Sequence, residues 1–175
     1  LMKYLVKFFV VTFFALISTY ATAEQTIVYL DMKVVLNNSK AGKGAQDYLQ
    51  NTFKTNQKKF ADLEKALKKE ETDLLAKKNI LSREDYQKKT DELRKKVIDY
   101  QSQRRASLDK IATQRADARQ KLLKKIDPIL NSYIQENNIS MVIDKKNVLG
   151  GQVDLDITNT IIEKLNKELP SLNLK

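Results

Sequence analysis

The 175-residue chain has no cysteine, no histidine and no tryptophan, and only four glycines and two prolines. Without cysteine it can form no disulfide and offers no thiolate nucleophile or thiolate metal ligand. Without histidine it also lacks the commonest general base and zinc ligand. Enzymatic chemistry would have to arise from isolated carboxylates and lysines, and no segment supplies the positioned constellation that acid–base, nucleophilic or metal-assisted catalysis needs. The chain is therefore expected to be no enzyme, with no catalytic residue, no cofactor and no metal. Asp31, Asp144, Asp154 and Asp156 stand at predicted strand ends and helix starts, where a carboxylate does turn and cap work. Gly42 and Gly44 lack the Gly-Lys-Ser/Thr ending of a phosphate loop and are expected to act as small residues at the root of a helix.

What is present favours long helices. Charged residues make up 31% of the chain, yet leucines and phenylalanines recur in register, which separates it from a disordered polyelectrolyte. Leu49, Phe53, Asn56, Phe60, Leu63, Leu67, Glu70 and Leu74 follow one another at alternating spacings of four and three, the signature of a heptad seam. Tyr86, Thr90, Leu93, Val97, Tyr100 and Arg104 repeat the rhythm. Leu108, Ile111, Arg115, Ala118 and Leu122 resume it after a one-residue slip. Between the two runs, Asn79-Ile80-Leu81-Ser82 interrupts the pattern, with Ser82 and Asp85 spaced as a helix cap. The spacing predicts helices over 40–78 and 82–136 joined as an antiparallel hairpin, a coiled-coil arm over 40–125. Its narrow seam leaves most of each helix in water.

The flanks read differently. Lys3 and Lys7, the ten-residue apolar run Phe8–Ile17 and the small-residue triplet Ala21-Thr22-Ala23 have the layout of a secretory leader. The run falls short of the roughly 20 residues a membrane span requires. Residues 1–23 are thus expected to be a cleaved signal peptide, with the mature chain starting at Glu24 outside the cytoplasm. Ile27, Val28, Tyr29 and Leu30 form a β-branched and aromatic strand expected to be buried on both faces. Met141, Val142 and Ile143 form a second strand and Val148 and Leu149 a third, paired as a hairpin. Asp156 is expected to cap a last helix that ends before Pro170, and Pro128 to kink the second long helix where the arm meets the body.

These pieces predict an α+β fold: a long helical hairpin projecting from a small three-stranded β body made of residues 24–39 and 126–175. A body of that size holds a marginal core and exposes two strand edges. Copies joined edge to edge about a rotation axis would answer both problems and send the arms out from one side. Ile27, Val28, Tyr29, Leu30, Met141, Val142, Ile143, Val148 and Leu149 are the candidate oligomerisation residues.

Charge is also divided. Residues 40–125 carry 24 Lys plus Arg against 13 Asp plus Glu, a net +11, while the body is mildly acidic. Such an arm attracts acidic polymers at long range, more weakly as salt rises. Leu74, Leu75, Ile80, Leu81 and Tyr86 gather more apolar surface at its tip than a two-helix turn needs, which makes them candidate contacts for an exposed apolar chain. Three classes of function fit: a binder of unfolded protein, a structural coiled coil of the cell envelope, and a binder of nucleic acid or anionic glycolipid. The export signal and the absence of aromatic and arginine stacking platforms on the arm count against nucleic acid.

Several stretches together make the chain resemble the Skp/OmpH-type periplasmic chaperones. They are the leader, Ile27-Val28-Tyr29-Leu30-Asp31, Ser39-Lys40-Ala41-Gly42-Lys43, Leu81-Ser82 at the tip of a basic hairpin, Met141-Val142-Ile143-Asp144, and Asp154-Leu155-Asp156-Ile157-Thr158 before the last helix. The resemblance implies a homotrimer with a barrel-like β body and three arms around a cavity, holding unfolded outer-membrane proteins in the periplasm without ATP. It also admits lipopolysaccharide or an anionic membrane surface as a partner, with no residue-by-residue match here to a site for it.

Overall fold

The computed structural model describes residues 25–174, so the expected leader and cleavage site lie outside the described residues. Strand β1 (Thr26–Leu30) opens the fold. Asp31 then turns the chain into helix α1 (Met32–Asn38) by accepting a hydrogen bond from the Val34 amide at 2.9 Å. This short helix is not apparent in the hydrophobic spacing, because only Val35 and Leu36 of its seven residues are buried. Ser39 ends it and starts the next: its amide bonds Val35 O, and its hydroxyl accepts from the Gly42 amide at 3.1 Å.

Helix α2 (Lys40–Ala76) and helix α3 (Arg83–Glu136) are the arm. At their 37 and 54 residues they extend about 55 and 80 Å at 1.5 Å per residue. The longer one therefore continues past the root of its partner into the body. Pro128 lies inside α3 without ending it. It is exposed, and its missing amide leaves the Lys124 carbonyl without its helical donor. Of the two glycines expected to permit close packing, only Gly42 does so: a β-carbon there would sit 1.8 Å from the Leu36 carbonyl oxygen, whereas at Gly44 it would meet nothing within 4 Å.

Strand β2 (Ile139–Asp144) pairs with β1 in parallel, in the register Ile27↔Met141, Val28↔Val142, Tyr29↔Ile143 and Leu30↔Asp144. The whole arm is thus the crossover between two neighbouring strands. The expected third strand is corrected here: among the described residues the sheet has two strands, and Val148 and Leu149 lie outside it. Asp144 accepts from the Lys146 amide and tightens 145–147 into a 3-10 turn instead of a hairpin. The backbone pairs with β1 again at Asp156, through one bridge to Tyr29 and a hydrogen bond from the Ile157 amide to Tyr29 O at 3.0 Å. Burial of β1 on both faces is corrected as well. Val28 and Leu30 are buried, while Ile27 is 44% exposed, because the helices cover one face of the sheet only.

Helix α4 (Thr158–Glu168) closes the body. Asp156 accepts from the Thr158 amide, close to its expected capping place, although Ile157 occupies the cap position itself. Ile161 and Leu165 of α4 pack with Ile126 and Ile129 of α3, Val35 of α1, and Val28 and Leu30 of β1 in a single core. Two polar contacts tie α4 to the arm: the Lys40 amide donates to Asn166 Oδ1 at 2.6 Å, and Lys164 Nζ lies 3.2 Å from Glu136 Oε2.

Candidate functional site

The features that distinguish this chain are all on the arm and on the uncovered face of the sheet. Along the arm, Leu49, Phe60 and Leu74 of α2 and Leu93, Ile111, Ala118 and Leu122 of α3 are buried, as the heptad spacing predicts. Two of the polar seam positions, Asn56 and Glu70, find partners across the hairpin, while the Thr90 hydroxyl donates to the Tyr86 carbonyl of its own helix. Asn56 Nδ2 donates to the Ser107 hydroxyl at 2.7 Å, and Lys96 Nζ reaches Glu70 at 2.5 Å. Tyr100 packs edge-on against Phe60, with ring centroids 6.0 Å apart, and its hydroxyl donates to Glu64. At the one-residue slip Ser107 turns inward and Leu108 is left 48% exposed. A polar residue fixed in a seam specifies register at some cost in stability.

Most of the arm's cations have no acidic partner. Three ion pairs occur on it among the described residues: Glu64–Lys68, Asp91–Arg94 and Glu70–Lys96. Hydrogen bonding and attraction from Lys68, then the Tyr100 hydroxyl, hold the Glu64 carboxyl below its ordinary value, and Glu64 correspondingly raises Lys68. The rest of the net +11 faces solvent, and an uncompensated charge of one sign on a thin rod projects its field outward.

The tip is a short turn over 77–82, closed by hydrogen bonds from the Ile80 and Leu81 amides to Lys77 O. Ser82 and Asp85 form the expected cap: the Asp85 amide donates to the Ser82 hydroxyl at 3.1 Å, and that hydroxyl donates to the Asp85 carboxylate at 2.6 Å. The five apolar residues expected to gather here separate into three groups. Leu74 belongs to the seam, Leu81 and Tyr86 are half-buried, and Leu75 and Ile80 stand 58% and 80% exposed. Clamping the turn therefore uses the first three, and two large side chains project freely beside Lys77, Lys78 and Arg83.

On the body, Ile27 and Met141 are direct neighbours across the sheet and both exposed, at 44% and 55%, with Tyr29 and Ile143 alongside them half-buried. Val28, Leu30 and Val142 point the other way into the core. The residues proposed for oligomerisation thus fall on two opposite faces. Val148 and Leu149 are on the loop beyond, where Leu149 is fully exposed, and Val153 is 86% exposed on the same loop. A latch holds that loop to β1: Lys145 pairs with Asp156 at 2.6 Å and lies over the Tyr29 ring, and the Tyr29 hydroxyl donates to Gln152 O. Burial alone would raise the Asp156 carboxyl, but hydrogen bonds from Lys145 and Thr158 outweigh it and the value falls below 3.8. Asp31, Asp144 and Asp156 all accept backbone amides, which is turn and cap work. Among the described residues no helix is long and apolar enough to cross a membrane.

Comparison with known proteins places this architecture. Residues 26–165 match the family model of outer membrane protein (OmpH-like). A Skp-like protein of Pseudomonas aeruginosa is 25% identical over 166 residues, spanning 95% of this chain and 99% of that one. The crystal structure of a candidate outer membrane chaperone (OmpH-like) from Caulobacter crescentus superposes with a TM-score of 0.79 at 16% identity, covering 90% of this chain and 94% of that one. That last similarity is one of fold.

Proposed function

Because the chain belongs to the OmpH-like outer membrane protein family, we propose that it is an ATP-independent periplasmic holdase. It would bind unfolded outer-membrane proteins between basic helical arms and keep them from aggregating in transit. The observation that carries this reading is the arm: a two-helix rod of net +11 with few ion pairs, ending in exposed Leu75 and Ile80. Charge draws in an acidic chain at a distance, and a mobile apolar tip touches whatever side chains it exposes, without a shaped pocket. Leu74, Leu81 and Tyr86 support the tip from within.

One arm cannot enclose a client, and the body supplies a reason to assemble. The outward sheet face of Ile27, Tyr29, Met141 and Ile143 is apolar, and β2 pairs on one edge only. Covering that face and edge with further copies, the exposed Val148-Leu149 loop included, gives a closed homotrimer with Val28, Leu30 and Val142 as each copy's inner layer. Lipopolysaccharide or an anionic membrane surface would be drawn to the same arm charge.

The test is to dilute a urea-unfolded porin into buffer with the purified mature chain and follow light scattering. Suppression without nucleotide, weakening as salt rises, is the expected result. Unchecked aggregation would reject the holdase and leave a structural envelope protein as the alternative.

A further inference from the structure

We propose that a groove at the root of the arm anchors short, extended client segments in which apolar and acidic side chains alternate. This rests on the holdase reading and adds where on the arm a client is held, and by what chemistry. The groove, of about 500 Å³, lies where α1 and the first turns of α2 face α3 near its entry into the body. Between the helices its lining is short-chained, with Ala45 of α2 and Ala118 of α3, and beside them Gly42 lets α1 approach α2 closely. Phe53, 38% exposed although it holds a seam position, is its accessible apolar side chain, with the buried Leu49 and Leu122 behind it.

Two observations choose the occupant. The first is charge. Arg115 and Arg119 line the groove, both are exposed, and neither has a hydrogen bond or ion pair among the described residues. Arg115 occupies a seam position where a purely structural hairpin would place an apolar residue. Guanidinium groups bind carboxylates in a bidentate fork, so an unpaired pair calls for acidic side chains.

The second is spacing. Four residues on a helix separate the two arginines by about 6 Å along its axis, and same-side residues of an extended chain repeat at about 6.6 Å. Carboxylates two residues apart on an extended segment therefore match both cations, while the residues between them face the apolar surface. A single-headed amphiphile would satisfy only one charge. An extended backbone also needs hydrogen-bond partners, and the groove offers amides at Asn37, Gln46 and Gln50. Gln46 Nε2 donates to Asn37 Oδ1, which fixes the pair and leaves the Asn37 amino group and the Gln46 carbonyl for the visitor. From Gly42 to Phe53 the groove spans about 16 Å, room for roughly five extended residues.

The experiment uses the full mature chain and a fluorescein-labelled decapeptide alternating Leu or Val with Glu, beside the same peptide with Lys for Glu. Anisotropy is read at physiological salt, with dodecyl phosphate as a competitor. The wild type is expected to prefer the acidic peptide. Arg115→Gln combined with Arg119→Gln should weaken it roughly tenfold, while Arg105→Gln with Lys110→Gln, which removes equal charge elsewhere on α3, should not. Equal loss in the two double variants would reduce the effect to bulk charge and overturn the groove. Equal affinity for both peptides would overturn it as well, as would displacement by dodecyl phosphate at concentrations where the groove variant binds that amphiphile as well as wild type. Porin aggregation is followed in parallel: suppression with no peptide preference removes the groove and leaves the holdase, whereas failure to suppress removes the holdase.

Discussion

Body and arm draw on the same aliphatic residues and bury them to different depths. In the body Val35, Ile126, Ile161 and Leu165 are wholly buried, in contact with elements from both ends of the chain. In the arm, burial approaching that of the body is reached only near the root, at Leu49 and Leu122 with 3% and 4% exposure; farther out Phe60, Leu74, Leu93 and Ile111 keep 7–9%, and Phe53 and Leu63 keep 38%. A three-dimensional core surrounds a side chain, whereas a two-helix seam covers it from one direction. Stability is therefore concentrated in the body, and the arm sits at the low end of the local stability scale, where opening is easy.

Core truncation should cost more in the body than in the arm, and equal costs would mean that the two regions do not differ in this way. Ile126→Ala or Ile161→Ala should lower unfolding stability by about 2–5 kcal/mol, read by urea titration. Leu93→Ala, in the seam, should cost clearly less and leave self-association unchanged in sedimentation. Next in size is Gly42→Ala, where the new methyl group meets the Leu36 carbonyl; a loss of about 1–3 kcal/mol is expected from the forced shift. Gly44→Ala, in open space, should instead gain about 0.5–1 kcal/mol from helix propensity. If both glycines behave alike, the root is not tightly packed.

A third contrast sharpens the body side. Asp156→Asn removes the charge that latches Lys145, and the melting temperature at neutral pH should fall by a few degrees. Because folding depresses the Asp156 carboxyl, its stabilisation is present above its unfolded value of 3.8 and disappears as pH falls through the lower folded value. Wild type and variant should accordingly converge in strong acid. Lys145, raised by Asp156, sets the opposite limit: its share is complete below 10.5 and is lost as pH climbs through its higher folded value. The smallest effect belongs to the arm. Lys96→Gln, which breaks a half-exposed pair with Glu70, should cost about 0.2–1 kcal/mol and less in high salt. A larger loss would mean that the pair holds the hairpin in register.

Much of this was legible because periodic spacing is a local property. The helical hairpin, its turn, the Ser82 cap, the basic surface and about half of the apolar seam positions follow from residue order, with bounds off by one or two residues, whereas Phe53, Leu63 and Leu108 hold seam spacing and stay exposed. The third strand failed for an equally local reason that hydropathy does not report: Asp144 binds the Lys146 amide and coils the chain just where a hairpin was expected. Helix α1 stayed hidden because two buried residues make no period. At the root of the arm, Arg115 looked like an interruption of a heptad, since its meaning depends on the short side chains of Ala45 and Ala118 on two different helices.

By itself, the order of residues determined that this is a basic two-helix limb on a small mixed body, because helix periodicity, capping and net charge depend on neighbours within a few positions. Tertiary structure alone decided that β1 and β2 are parallel partners on either side of the arm, that one face of their sheet is left uncovered by the described residues, and that a groove lined by two exposed arginines opens at the root. Those features come from contacts between segments up to more than a hundred residues apart, whose geometry no local pattern encodes.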